Sequence, residues 1–224
     1  MVEVLGEVLV KAVAIAISPL PLIALILMLV SARARVTAPL FTLGFTGGIF
    51  IATGIGVVFG GVLGGGGGSG PSTASLMFKL VIGLLFLALA YQQWQKRPKP
   101  GEPVEVPKLF SSIDSMSAIS ALGIGLLISA LNIKNLPLGV SSGIDIAHAN
   151  LGASTATVTV IVFALLASSV LIVMVLVVLV LGDRAAGGLD SIKVWLLAHN
   201  HAIMLVLFAV LGAKSIGEAV TGLV

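Results

Sequence analysis

No cysteine occurs among the 224 residues, which excludes disulfides, thiol catalysis and cysteine-ligated metals. Charge is scarce: Asp, Glu, Lys and Arg together make up 9% of the chain, against roughly 25% in a soluble domain. Aromatic side chains amount to only 5%, and the three histidines are too few and too scattered to form a zinc site. A chain this poor in polar groups has nothing with which to cover a water-facing surface. What it has is 58% hydrophobic residues and a mean hydropathy of +1.20. A soluble enzyme, a nucleic-acid binder and a disordered protein are excluded. The bilayer is the solvent.

Crossing roughly 30 Å of hydrocarbon takes about 20 mostly apolar residues. Six stretches qualify, at 4–30, 39–63, 74–94, 118–142, 155–182 and 200–222. Glu3 and Glu7 stand where a signal peptide would carry basic residues, so the first stretch reads as a membrane span. The connections differ in character. Residues 31–38 are a short basic turn and residues 64–72 a glycine-rich run. Residues 95–117 are a proline-rich charged linker, and residues 143–154 join the fourth span to the fifth. Residues 183–199 read as a short amphipathic helix lying in the interface, anchored by Trp195, with His199 and Asn200 capping the last span.

Net charge is +3, and its placement says more than its sum. Eight of the 12 Lys and Arg residues occupy alternate loops: Arg33 and Arg35; Lys96, Arg97, Lys99 and Lys108; Arg184 and Lys193. The loops 64–72 and 143–154 contain none. By the positive-inside rule the three basic loops are cytoplasmic and both termini external, as expected of a multi-pass plasma-membrane protein. Lys11, Lys79 and Lys214 lie toward the outer ends of their spans and are expected to snorkel. Lys134 is nearest mid-membrane, where a cation costs roughly 3 kcal/mol or more, so it needs a partner or a cavity.

Sliding the sequence by 111 residues aligns ISPLPLIALILMLVS (17–31) with ISALNIKNLPLGVSS (128–142). The offset is almost half the chain and the linker falls between the halves. The expected architecture is an all-α integral membrane protein, one membrane domain over residues 1–224. Its six transmembrane helices form two inverted three-helix repeats: residues 1–94, the cytoplasmic linker 95–117, then residues 118–224. An odd number of spans per repeat inverts the second copy, an architecture of secondary transporters with the substrate site where the repeats meet.

Two interruptions fall at repeat-related positions. In the first, Ser18-Pro19-Leu20-Pro21 removes two backbone donors and kinks or unwinds the helix. In the second, Asn132-Ile133-Lys134-Asn135-Leu136-Pro137 places two amides, a cation and a proline in an apolar run. Such groups belong either to a structural kink or to a polar cavity holding substrate. Ser18, Pro19, Pro21, Asn132, Lys134, Asn135 and Pro137 form the candidate substrate site. Lys134 either holds an anionic head group or docks as a structural cation on the broken carbonyls of the first span. Asn132 and Asn135, three apart, are expected to share a helix face beside it. Asp145 and His148 are either a proton relay or an ordinary polar helix end. Glycines 44, 48, 56, 60 and 64 satisfy G-x-x-x-G three times, a small face for packing within the chain or for a homodimer. No triad, catalytic carboxylate pair, metal cluster or phosphate loop is apparent, so neither enzymatic activity nor a cofactor is expected.

These residues resemble a known family. AIAISPLPLIALILMLVSARAR, with the glycine-rich second span, ISALNIKNLPL and the terminal IMLVLFAVLGAKSIGEAV, is similar to the GAP family of glycopeptidolipid- and sulfolipid-addressing proteins of mycobacteria. That family sits within the LysE-type superfamily of six-span exporters. Ile133 stands where the related pattern reads proline, which implies a milder helix break. The resemblance implies movement or addressing of cell-envelope glycolipids by a three-plus-three protein, with membrane lipids as its partners. The alternatives are a small-solute exporter, for an amino acid for instance, and a scaffold that recruits lipid-synthesis or export machinery without transporting.

Overall fold

The computed structural model describes residues 2–63, 73–97 and 116–223, and every regular element among them is helical. Nine α-helices follow in order: α1 (Val2–Ala16), α2 (Pro19–Leu29), α3 (Ala34–Leu63), α4 (Thr73–Gln95), α5 (Ala118–Ala130), α6 (Asn135–His148), α7 (Ala153–Ala167), α8 (Ser169–Leu181) and α9 (Ala186–Leu223). A 3-10 turn, Gly182–Ala185, joins the last two. The glycine-rich run 64–72 and most of the linker, residues 98–115, lie outside the described residues.

Three helices, α3, α4 and α9, are long and apolar enough to cross a membrane unbroken. The other six form bent pairs: α1 with α2 at 43°, α5 with α6 at 66°, and α7 with α8 at 58°. Counting each pair as one span gives six. Prolines mark two of the breaks, because Pro19 opens α2 and Pro137 lies in the first turn of α6. The α7–α8 break has no proline or glycine. Ser168 caps both helices there, donating its backbone N–H to the Ala164 and Leu165 carbonyls.

Residues 183–199 do not form the separate interfacial helix that the sequence suggests, because 183–185 belong to the 3-10 turn and 186–199 to α9, and His199 and Asn200 cap nothing. They lie inside α9, a continuous helix of 38 residues. At 1.5 Å per residue it is about 57 Å long, well beyond the hydrocarbon thickness. Trp195 stacks on His199 with ring centroids 4.7 Å apart, and its carbonyl lies 2.8 Å from His199 Nδ1. The helix runs on through the polar pattern that suggested a boundary, with no break between residues 186 and 223.

Apolar side chains fill most of the interior and also cover the outside, while a few charged and amide groups are buried among them. Val62, Ile119 and Val180 are more than 70% exposed, while Lys11, Lys134, Asn135 and Asp145 are buried. This distribution suits lipid as the surrounding medium. Helix α3 is central and packs along α5 and α6, with α7 alongside. Its glycines permit that contact. A Cβ on Gly56 would lie 2.1 Å from the Val140 carbonyl oxygen, and one on Gly143 would lie 2.0 Å from that of Thr53. The G-x-x-x-G face of Gly44, Gly48, Gly56 and Gly60 is therefore occupied by packing within the chain. Thr37, Thr42, Thr46 and Thr53 on α3 return their hydroxyls to carbonyls four residues back, so they add no unsatisfied polarity. Helices α4 and α9 form a second close pair, with Gly83 and Gly212 at the contact.

Candidate functional site

The first break frees a carbonyl and the second supplies its donor. In an unbroken helix the Ala14 carbonyl would accept from Ser18 N–H, four residues on. Here the Ser18 N–H turns instead to Ile15 O at 3.1 Å, because Pro19 has no N–H to offer that oxygen. Ala14 O is filled from across the bundle by Lys134 Nζ, which donates to it at 2.6 Å. Ser18 is buried and its side chain makes no capping hydrogen bond, while Pro19 and Pro21 sit buried in the first turn of α2. The two interruptions found in the sequence are thus in direct contact.

Lys134 is completely buried, and among the described residues no carboxylate pairs with it. Its backbone N–H is held at 2.9 Å by Asn132 Oδ1, and Leu136 N–H closes on the Asn132 carbonyl at 3.0 Å. Asn132 is therefore the residue that shapes the break. It does not share a helix face with Asn135, as the three-residue spacing suggested, because α5 ends at Ala130 and α6 begins at Asn135. Asn135 itself is fully buried, and neither Oδ1 nor Nδ2 has a hydrogen-bond partner. A buried amide without partners costs free energy on the order of 1–3 kcal/mol. Pro137 is half-buried two residues further along α6. A third polar group, Ser168 Oγ at the α7–α8 break, is also buried and unpartnered. Its neighbourhood reads only as Ala-Ser-Ser in the sequence, a weak signal for a helix break.

A second polar assembly lies toward the end of the bundle where α1 and α4 begin and α6 and α9 finish. Lys11 Nζ donates to Asp145 Oδ2 and, at 2.7 Å, to Ser141 Oγ. Lys79 Nζ stands 2.9 Å from Asp145 Oδ1 and 2.9 Å from Glu218 Oε2. Lys214, one turn earlier on α9, completes the series on Glu218 Oε1. Five charges alternate in sign across α1, α6, α4 and α9, so the three lysines expected to snorkel are in fact ion-paired. Lys11 is 3% exposed. His148 is half-buried at the end of α6 and its Nε2 has no hydrogen-bond partner, so it is not hydrogen-bonded to Asp145 through that atom. The shared depth of these five residues was the available signal, and pairing across helices distant in sequence was not. No group of three His, Asp or Glu side chains suited to a metal ion occurs among the described residues.

No curated protein and no solved structure matches the chain. The family described as Sap, sulfolipid-1-addressing protein, matches residues 8–221, nearly the full length. With that coverage, the chain belongs to the sulfolipid-1-addressing family, in agreement with the resemblance carried by its broken first and fourth spans.

Proposed function

We propose that the chain is a secondary-type carrier that moves an anionic cell-envelope lipid across the plasma membrane. The head group passes Lys134 and Asn135 while the acyl chains stay in lipid. The observation that carries this reading is a fully buried ammonium without a carboxylate, beside a fully buried amide without a partner, where two broken helices meet. An anionic, hydrogen-bonding head group offers both residues what the protein withholds. Family membership supports the substrate class, and the outward apolar faces support access from the bilayer.

The inverted-repeat design finds support in how the helices pair. The α1–α2 pair packs on α7 and α8, α3 packs on α5 and α6, and α4 packs on α9. Exchanging the halves would map this pattern onto itself. On this reading the basic loops are cytoplasmic, both termini are external, and the protein works without a cofactor or catalytic chemistry. A homodimer and lipid-synthesis or export machinery are compatible partners.

The test is reconstitution into liposomes with labelled sulfated glycolipid in one set and labelled amino acids in another. Sulfated lipid should cross and amino acids should not. Lys134→Met keeps most of the stem and deletes the charge, and should slow lipid transfer roughly tenfold or more, the worth of one charge-assisted hydrogen bond. Lys134→Arg should retain partial activity, because a planar guanidinium keeps the charge but not the geometry. The Ala14 contact favours one competing reading, a purely structural lysine. Equal transfer rates for Lys134→Met and the parent would establish it and favour the scaffold role.

A further inference from the structure

The two ends of the bundle treat their cations differently. At the end holding Asp145 and Glu218, Lys11, Lys79 and Lys214 are all ion-paired. At the opposite end, Arg33 and Arg35 flank the α2–α3 turn and form no ion pair among the described residues. Both line a cavity of about 760 Å³, within the range of roughly 300–1,000 Å³ typical of ligand pockets. Its opposite wall is apolar, built from Val175, Val178 and Leu179 of α8 and Leu189 of α9. The hydroxyls nearby are already used: Ser31 Oγ donates to Met28 O and Thr37 Oγ1 to Arg33 O. Among the side chains lining this cavity, the unspent hydrogen-bond donors are therefore the two guanidinium groups.

We propose that this cavity is the loading site for the cargo lipid, with Arg33 and Arg35 on its anionic head group and the α8 wall against the top of its acyl chains. The inference rests on the carrier reading for the identity of the cargo. Three features support it. The arginines stand at the start of a transmembrane helix, the depth at which head groups lie. A guanidinium presents a planar fork of donors matched to sulfate or phosphate oxygens. The cavity also has both a charged and an apolar wall, as an amphiphile requires. Leu29, the last residue of α2, lines it, and α2 leads back to the break opposite Lys134. At 1.5 Å per residue the 11-residue helix places loading and central sites about 17 Å apart.

The test uses the full-length protein in detergent micelles, with lipid retention counted by native mass spectrometry. Three probes separate the sources of binding: sulfatide, its neutral parent galactosylceramide, and phosphatidylglycerol as a bulk anionic lipid. Sulfatide should be retained in preference to both others. Arg33→Gln with Arg35→Gln should lower its retention at least about tenfold. Ala32→Trp, which fills the cavity but keeps both charges, should do the same. Lys96→Gln with Arg97→Gln, basic residues that do not line the cavity, should leave it unchanged. Equal retention of galactosylceramide would reduce the cavity to an apolar crevice and overturn the proposal. Equal or preferred phosphatidylglycerol would overturn the assignment to cargo, and undiminished sulfatide in either cavity variant would overturn the location. Binding is read without transport, so sulfatide retention by a protein that moves no lipid in vesicles would remove the carrier reading and leave the site.

Discussion

At the residue scale, the membrane interior makes each charged side chain a separate problem, and the protein solves it in two ways. Asp145 stands between Lys11 and Lys79, 7% exposed, and neutralises part of each. Asp145→Asn leaves two ammonium groups facing an amide, with only Ser141 and Glu218 to help. Breaking a buried pair in this way costs on the order of 3–5 kcal/mol. Lys214→Met should cost far less, under about 1 kcal/mol, because Glu218 keeps Lys79 and the Lys214 side chain is about one-third exposed. Reversible unfolding of both variants in mixed micelles tests the difference, and similar losses would mean that the partly exposed Lys214 is bound into the network as tightly as the buried Asp145. Lys134 is the other case, a cation held by one backbone carbonyl with no carboxylate beside it among the described residues. The sequence already marked Lys134 as needing a partner. The partner could not be read from it, because Ala14 O is freed only when Ser18 N–H turns to Ile15 O.

At the scale of elements, small residues and breaks decide what can touch. Gly143 and Gly56 let α6 and α3 approach until backbone meets backbone. A methyl group at Gly143 would lie 2.0 Å from Thr53 O and 2.6 Å from Val57 N, neither of which can rotate away. Gly143→Ala should therefore force the helices apart at a cost of roughly 1–3 kcal/mol. Gly54 on α3, by contrast, has nothing within 4 Å of a Cβ. Gly54→Ala should be neutral or stabilising by up to about 1 kcal/mol, the helix propensity difference. Thermal unfolding in detergent distinguishes the two, and a stable Gly143→Ala would mean that α3 and α6 are not locked by this contact. The spacing of the α3 glycines was legible as a packing face; that α5 and α6 fill it was not. The proline breaks were legible because proline lacks a donor. The Ser168 break was not, since Ala-Ser-Ser is compatible with a straight helix, and neither was the merger of residues 186–199 into α9.

At the scale of the whole molecule, the two polar ends are chemically unlike, and their orientation decides the direction of any lipid movement. Arg33, Arg35, Lys96, Arg97, Arg184 and Lys193 belong to one end, where among the described residues only Lys193 is ion-paired, to Asp190 on its own helix; the buried network of Lys11, Lys79 and Lys214 belongs to the other. The alternation of loops with and without Lys and Arg was readable directly from the sequence, because insertion acts on the basic residues of each loop. The absence of native cysteine makes orientation measurable with single introduced thiols and no background. Gly6 and Thr221 are exposed near the two ends of the chain, and Ala32 and Gly187 are exposed at the basic end. In intact cells, a membrane-impermeant maleimide should label Gly6→Cys and Thr221→Cys, while Ala32→Cys and Gly187→Cys should react only after permeabilisation. The reverse pattern would put the arginine cavity outside, where it would receive lipid rather than load it, and the proposed direction of transport would invert. Labelling of Gly6→Cys from outside and Thr221→Cys only from inside would mean an odd number of crossings, which six spans and an inverted three-plus-three design cannot accommodate.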